Sequence, residues 1–273
     1  MEKNNRHTHP TAFFDAEYTC PTGNELLSAG IVICHKDGSE IDRLYRLIRP
    51  VNCTITPFCT NLTGIRQSDA EKGVPYAEAM EEIYRLLKKH HVRRICVWGN
   101  DAVVIKNDFM KYHSHLPEKT VAHINWLISH MRDVSGVYSH KADLSLTSLE
   151  KMKYVCALDG PVRHHALGDA IDLKNIAFAI ENETYNKARR NVLKTYMQEH
   201  SRYNATKRFS INSDLPRTGR ASRNAALQYM KTLNLSIPEH LAMYDDLCYM
   251  HDIRKAKGFP NFKDYVKKHA PTL

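Results

Sequence analysis

The chain has 273 residues, 42% apolar and 25% charged, with a formal net charge of +9; this is ordinary for a globular fold and exceeds one minimal core. No apolar run approaches the roughly eighteen residues that span a bilayer, and the polar start MEKNNRHTHP lacks the apolar stretch of a secretory signal. Seven cysteines, an odd count without a CxxC pair and with Cys53 and Cys59 closest, point to free thiols in a reducing, cytoplasmic setting rather than to structural zinc.

Residues 12–20 and 27–35 are apolar and rich in β-forming types, with Pro21, Gly23 and Asn24 between them. Lys36-Asp37-Gly38 turns the chain into 41–48, which predicts an antiparallel meander of three strands. Ala79, Met80, Ile83, Leu86 and Leu87 recur at helical spacing in 77–87, with Pro75 near the start. A short strand follows at 92–98, ended by Gly99; then come a helix over 109–116, a fifth strand over 126–133, and helices over 146–158 and 166–180. This order predicts an α/β fold with a mixed sheet. From residue 186 no strand pattern occurs. Helices are expected at 187–203, 223–233, 238–255 and 261–269, with a polar, turn-rich linker or substrate-facing loop at 208–222.

The charge is unevenly spread. Residues 1–184 hold 22 Lys and Arg against 23 Asp and Glu, while 185–273 hold 17 against 7, so the positive surplus lies in the last third. Such a surplus fits contact with a polyanion and equally a solvated basic helical surface. Tyr196, Tyr203, Phe209, Tyr229 and Tyr265 are interleaved with these cations; packing of the helices is the favoured reading for most of them, over base stacking.

Three places carry candidate chemistry. Asp15 and Glu17 lie two apart in an apolar strand, so alternation puts both on one face, with no Lys or Arg nearby in sequence. They either reach water or a distant Arg, or share a hard divalent cation. Asp101 follows a short strand and a glycine turn, a place where α/β folds present functional groups and where a helix N-cap is the simpler explanation. In RHHALGDA, His164 precedes Asp169 by five residues across a predicted helix start, and an imidazole there suits proton abstraction from water or plain exposure. Several acidic groups and a histidine are what two-metal phosphodiester hydrolysis uses.

Together these segments resemble the DEDD-type 3′→5′ exonucleases that carry a histidine, the RNase T and DnaQ-like family. The matches are Asp15-Ala16-Glu17-Tyr18-Thr19, Ser28-Ala29-Gly30-Ile31-Val32, Arg49-Pro50, Leu62-Thr63-Gly64-Ile65, and His164, Ala166, Asp169 and Ala170. Arg132-Asp133-Val134 and the LTSLEKM run at 146–152 fit the strand and helix that precede the last motif, and the resemblance covers roughly 11–182. One departure concerns the second motif: relatives with Trp-Gly-Asn usually have one more residue before the aspartate. Asp108 is therefore the alternative to Asp101, although Ile105 follows Asp101 at the family's spacing; His165 is the alternative to His164, whose distance to Asp169 fits better.

The resemblance implies a ribonuclease H-like mixed five-stranded sheet flanked by helices over 1–182, and charge and helical pattern predict a basic helical extension over 183–273. It implies two Mg²⁺ or Mn²⁺ ions held by Asp15, Glu17, Asp101 and Asp169, with His164 as general base and 5′-mononucleotides leaving a free 3′ end of DNA or RNA. Backbone near Ala16 and the Thr63 loop would position the terminal nucleotide. In the basic last third, the loop with Arg217, Arg220 and Arg223 is the best candidate for phosphate contact. The competing expectation, supported by the shifted second motif and opposed by the intact D-x-E and H-x-A-x-x-D motifs, is a nucleic-acid-binding or scaffold protein that keeps the fold without turnover. A polymerase proofreading subunit is a weaker one, since no polymerase-binding element is evident.

Overall fold

The computed structural model describes residues 9–19, 25–158, 164–212 and 259–269, of which 205–212 are described as helical backbone alone. The first three strands are β1 (Thr11–Tyr18), β2 (Leu26–Cys34) and β3 (Glu40–Leu47), the meander that alternation predicts. Short helices α1 (Pro57–Thr63) and α2 (Gln67–Ala70) follow, then α3 (Tyr76–Lys89), β4 (Arg94–Val97), α4 (Asp101–Tyr112) and α5 (Glu118–His130). Strand β5 (Met131–Asp133) leads to α6 (Ser135–Lys141), α7 (Leu149–Val155) and α8 (Ala166–Glu181). A second compact unit starts at Lys187 and contains α9 (Lys187–Asn212) and α10 (Phe262–His269).

The five strands form one sheet in the order β3-β2-β1-β4-β5. β1 pairs antiparallel with β2 and parallel with β4, and β4 pairs parallel with β5. On one face, Ala12, Phe14 and Ala16 of β1 join Ile31, Ile33, Ile95 and Val97 in an apolar layer. That layer is covered by Ala79, Met80, Ile83 and Leu87 of α3 and by Ile124 and Leu127 of α5. The other face is covered by α8, which buries Ala170, Leu173, Ile176, Ala177 and Ile180 and meets Phe13 through Phe178. β2 is buried along its whole length, as a strand sandwiched between helices must be.

Two expectations need correction. Residues 126–130 are helical, and the fifth strand is only Met131–Asp133. The apolar run there follows helical spacing, with Thr120, Ile124 and Leu127 buried, and the start signal is Pro117 as N-cap with Glu118 in the first turn. Likewise the helix placed at 109–116 begins at Asp101, and His113–His115 continues it as a 3₁₀ turn. In the second unit, α9 runs through 208–212, where a loop was expected; the rest of that loop and the helices at 223–233 and 238–255 lie outside the described residues. Tyr196 and Tyr265 are buried against each other and Phe262, so these two aromatics pack helices together. Among the described residues no helix is long and apolar enough to cross a membrane.

Candidate active site

Alternation sends Asp15 and Glu17 to the face of β1 that α8 covers. Asp15 is paired with Gly30 of β2, and a Cβ on Gly30 would overlap the backbone of Ala166 and Leu167. The missing side chain lets the first turn of α8 lie directly on the strand pair, which carries Asp169 to the two β1 carboxylates. Ligating atoms of Glu17, His164 and Asp169 all lie within 4.8 Å of one another. His164 holds φ 45°, a left-handed conformation that is costly for a non-glycine residue and is found where surrounding structure enforces it.

Asp101 arrives from β4. Gly99 turns the chain at φ 86°, Asn100 occupies the N-cap without a side-chain capping bond, and Asp101 is the first residue of α4. The capping explanation for Asp101 therefore fails: its Oδ1 instead accepts a hydrogen bond from the Tyr18 hydroxyl at 3.4 Å. The turn is tied down by Asp133, whose Oδ1 accepts from the Gly99 and Ser135 amides, each at 2.9 Å. The Trp98 indole N–H donates to the Thr147 carbonyl at 3.1 Å and fixes the other side.

Glu17, Asp101 and Asp169 are each less than a tenth exposed, and Asp15 is half-buried. Burial, and then the charges of Asp101, Asp169 and Glu17, hold the Asp15 carboxyl well above the usual carboxylate range. Burial with repulsion from Asp169 and Asp101 pushes Glu17 up to about 8. Burial lifts Asp101 to about 7, against the opposing Tyr18 hydrogen bond. Asp169 is raised by burial, while His164 and Lys153 act in the opposite direction. Among the described residues no lysine or arginine stands among the principal charges acting on Asp15 or Glu17. Carboxylates crowded in this way stay ionised only with added positive charge, and an all-oxygen donor set with one imidazole fits hard divalent cations.

The alternatives raised by the sequence have other occupations. Asp108 is 1% exposed, and its Oδ2 accepts from the Leu26 amide at 3.0 Å, so it anchors the start of β2. His165 is the N-cap of α8, its Nδ1 accepting from the Gly168 amide at 3.3 Å while its ring stacks on Tyr45 at 4.5 Å. The Thr63 hydroxyl donates to the Cys59 carbonyl at 2.9 Å and accepts from the Ile65 amide, shaping the turn that Gly64 closes at φ 75°. The Ala16 side chain points into the core face, leaving only its backbone near the carboxylates. Arg217, Arg220 and Arg223 lie outside the described residues. Sequence reasoning missed Tyr18 and Asp133 as supports of Asp101. Both lay within motifs already quoted, but nothing local distinguishes a support from a bystander.

An exonuclease family model of the RNase T type matches residues 12–177. The 3′-5′ exonuclease eri1 of Schizosaccharomyces pombe is 31% identical over 84 residues, 28% of this chain and 28% of that protein. Protein NEN2 of Arabidopsis thaliana is 34% identical over 82 residues, 28% of this chain and 17% of that protein. The matched region is thus under a third of either relative. Among solved structures, the nuclease domain of 3′hExo, described as a DEDDh family member bound to rAMP, gives a TM-score of 0.55 at 17% identity, covering 65% of this chain and 94% of that one. Cell-death related nuclease 4 gives 0.53 at 17% identity, covering 64% of each chain. At these identities the structural likeness is one of fold, a mixed five-stranded ribonuclease H-like sheet with flanking helices. With the family model spanning more than half of its length, the chain belongs to the RNase T exonuclease family.

Proposed function

We propose that this chain is a metal-dependent 3′→5′ exonuclease that releases 5′-mononucleotides from the free 3′ end of single-stranded or frayed nucleic acid. The observation that carries this is the convergence of Asp15, Glu17, Asp101 and Asp169 beside His164, with a repulsion that no described lysine or arginine offsets at β1. In this reading those four carboxylates hold two Mg²⁺ or Mn²⁺ ions. When bound, the ions supply positive charge for the developing oxyanions and lower the pKa of the attacking water. His164 takes that water's proton. Tyr18 orients Asp101 through its hydroxyl, and backbone near Ala16 with the Thr63 turn seats the terminal nucleotide. Phe58 and Leu62, exposed on α1, give its base an apolar rest.

Residues 1–182 serve as the exonuclease domain, and the basic extension 183–273 adds phosphate contacts through Arg217, Arg220 and Arg223; the working compartment is the cytoplasm. The test compares labelled single- and double-stranded DNA and RNA with Mg²⁺, Mn²⁺ and EDTA. Wild type releases mononucleotides with either metal, and Asp15→Ala or Asp169→Asn lowers the rate by about 10²–10³-fold or more, as loss of transition-state charge stabilisation does. Full activity in both variants rules this site out. Tight, salt-sensitive binding with no turnover in either metal identifies a nucleic-acid-binding protein that keeps only the fold.

A further inference from the structure

Residues 1–184 have almost no net charge, yet their buried carboxylate cluster and their densest basic run lie at opposite ends of the sheet. The clustered carboxylates lie toward the C-terminal ends of β1 and β4, at Asp15, Glu17 and Asp101. β1 and β4 run parallel, with Thr11 opposite Arg94, so His9 and the run KKHHVRR (88–94) meet at the opposite end of the sheet. A cavity of about 470 Å³ there is lined by His9, Lys88, His91, Arg93, Trp126 and His130, with Val92 completing the wall. Among the described residues no carboxylate lines it. Among the described residues Lys88, His91 and Arg93 form no ion pair, whereas the neighbouring Lys89 and His90 both turn to Asp42.

Trp126 sets the chemistry of this cavity. Lys88 Nζ sits 4.9 Å from its ring centroid, His130 stacks on it at 3.9 Å, and Tyr84 meets it edge-on at 5.4 Å. A ring engaged in this way holds its cationic neighbour in place rather than offering an open face to a base. His130 Nδ1 lies 2.8 Å from the Trp126 carbonyl oxygen, which can only accept, so Nδ1 carries a proton and Nε2 donates outward only in the imidazolium form. His91, at φ 52°, stands in the turn after α3. An open cleft walled by Lys88, Arg93 and three imidazoles, with no carboxylate among the described residues and no free aromatic face, suits phosphate and not a nucleobase.

The geometry points to this cavity as a second phosphate-binding site, one that grips the backbone of a nucleic-acid strand at a distance from its 3′ end. The choice of polymer rests on the nuclease reading. His9 and Asp15 are six residues apart on one extended segment, about 20 Å at 3.3 Å per residue. That line runs through the sheet, and α3 and α5 cover the face opposite the carboxylates, so a strand passing around the sheet needs more than about six stacked nucleotides at 3.4 Å each. The site therefore retains long strands while their ends are trimmed, and short strands do not reach it.

The test is the exposed pair Lys88→Ala/Arg93→Ala in the full chain, with 20-nucleotide and 4-nucleotide strands. In Mg²⁺, the expected result is a KM for the 20-mer raised about tenfold at unchanged kcat, with trimming of the 4-mer unaltered. In EDTA, fluorescence anisotropy should show weaker binding of the 20-mer, with the slope of log affinity against log salt reduced by about 1.4, the value for two lost single-strand contacts. An unchanged KM and salt slope overturn the second site while leaving the nuclease reading standing. Absence of trimming of either strand by wild type sinks the nuclease reading, and the anisotropy arm still decides the site. Inorganic phosphate or a mononucleotide binding wild type as tightly as the 20-mer, and lost in the double variant, would assign the cavity to a small free anion and overturn the strand proposal.

Discussion

Asp101 and Asp108 lie on one helix, both buried, and their surroundings give them opposite tasks. Asp108 accepts from the Leu26 amide, so Asp108→Ala strands a buried N–H and costs about 1–3 kcal/mol. The lower Tm is checked by thermal melts, and the rate per folded molecule should stay near wild type. Asp101→Asn keeps the shape but removes a carboxylate that burial already disfavours, so the rate should fall about 10²-fold or more while the metal-free Tm holds or rises. A fallen Tm for Asp101→Asn together with an unaltered rate would reverse the assignment. The histidines divide in the same way: His165→Ala loses an N-cap worth about 0.5–2 kcal/mol, whereas His164→Ala should leave that cap intact and lower the rate by about 10²-fold or more. The sequence alone left both pairs open, because spacing along a helix says which residues share a face and not which face meets β1.

Strands with clean alternation were legible, as was the apolar periodicity of α3 and α8, because each buries a face set by its own period. The helices α1, α2 and α6, of seven, four and seven residues, were not, since so few turns carry no period. The fifth strand was misplaced because Trp126 and Ile128 are β-forming residues used on a helix. What the motifs could not reveal is why α8 reaches the carboxylates, and Gly30 answers that. Gly30→Ala forces a Cβ into the Ala166 backbone, so α8 must withdraw; stability should drop by about 1–3 kcal/mol and activity should fall with it. An alanine variant that melts and cuts like wild type would show that α8 does not depend on this contact.

Taken as one body, the catalytic unit is metastable where it is most acidic. The Glu17 carboxyl rises from 4.5 to about 8 on folding, so the fold favours its protonated form. In metal-free protein, stability is therefore greatest below about pH 4.5 on this account and is lost as pH climbs through 8, with Asp15 and Asp169 shifted in the same direction. Divalent cations should reverse the trend, raising Tm more at pH 8 than at pH 5, a difference that scans with and without EDTA would read. The net charge of the sequence concealed this cluster, because a sum over 1–184 says nothing of which carboxylates are brought together. Calorimetric titration of Mn²⁺ at pH 8 decides whether acidic side chains from β1, α4 and α8 chelate a pair of ions. Wild type should take up about two ions per chain, as two-metal sites generally do, with binding abolished in Asp15→Ala and unaltered in Asp108→Asn. Saturable binding that persists undiminished in Asp15→Ala, or no binding by the wild-type protein, would contradict that chelation.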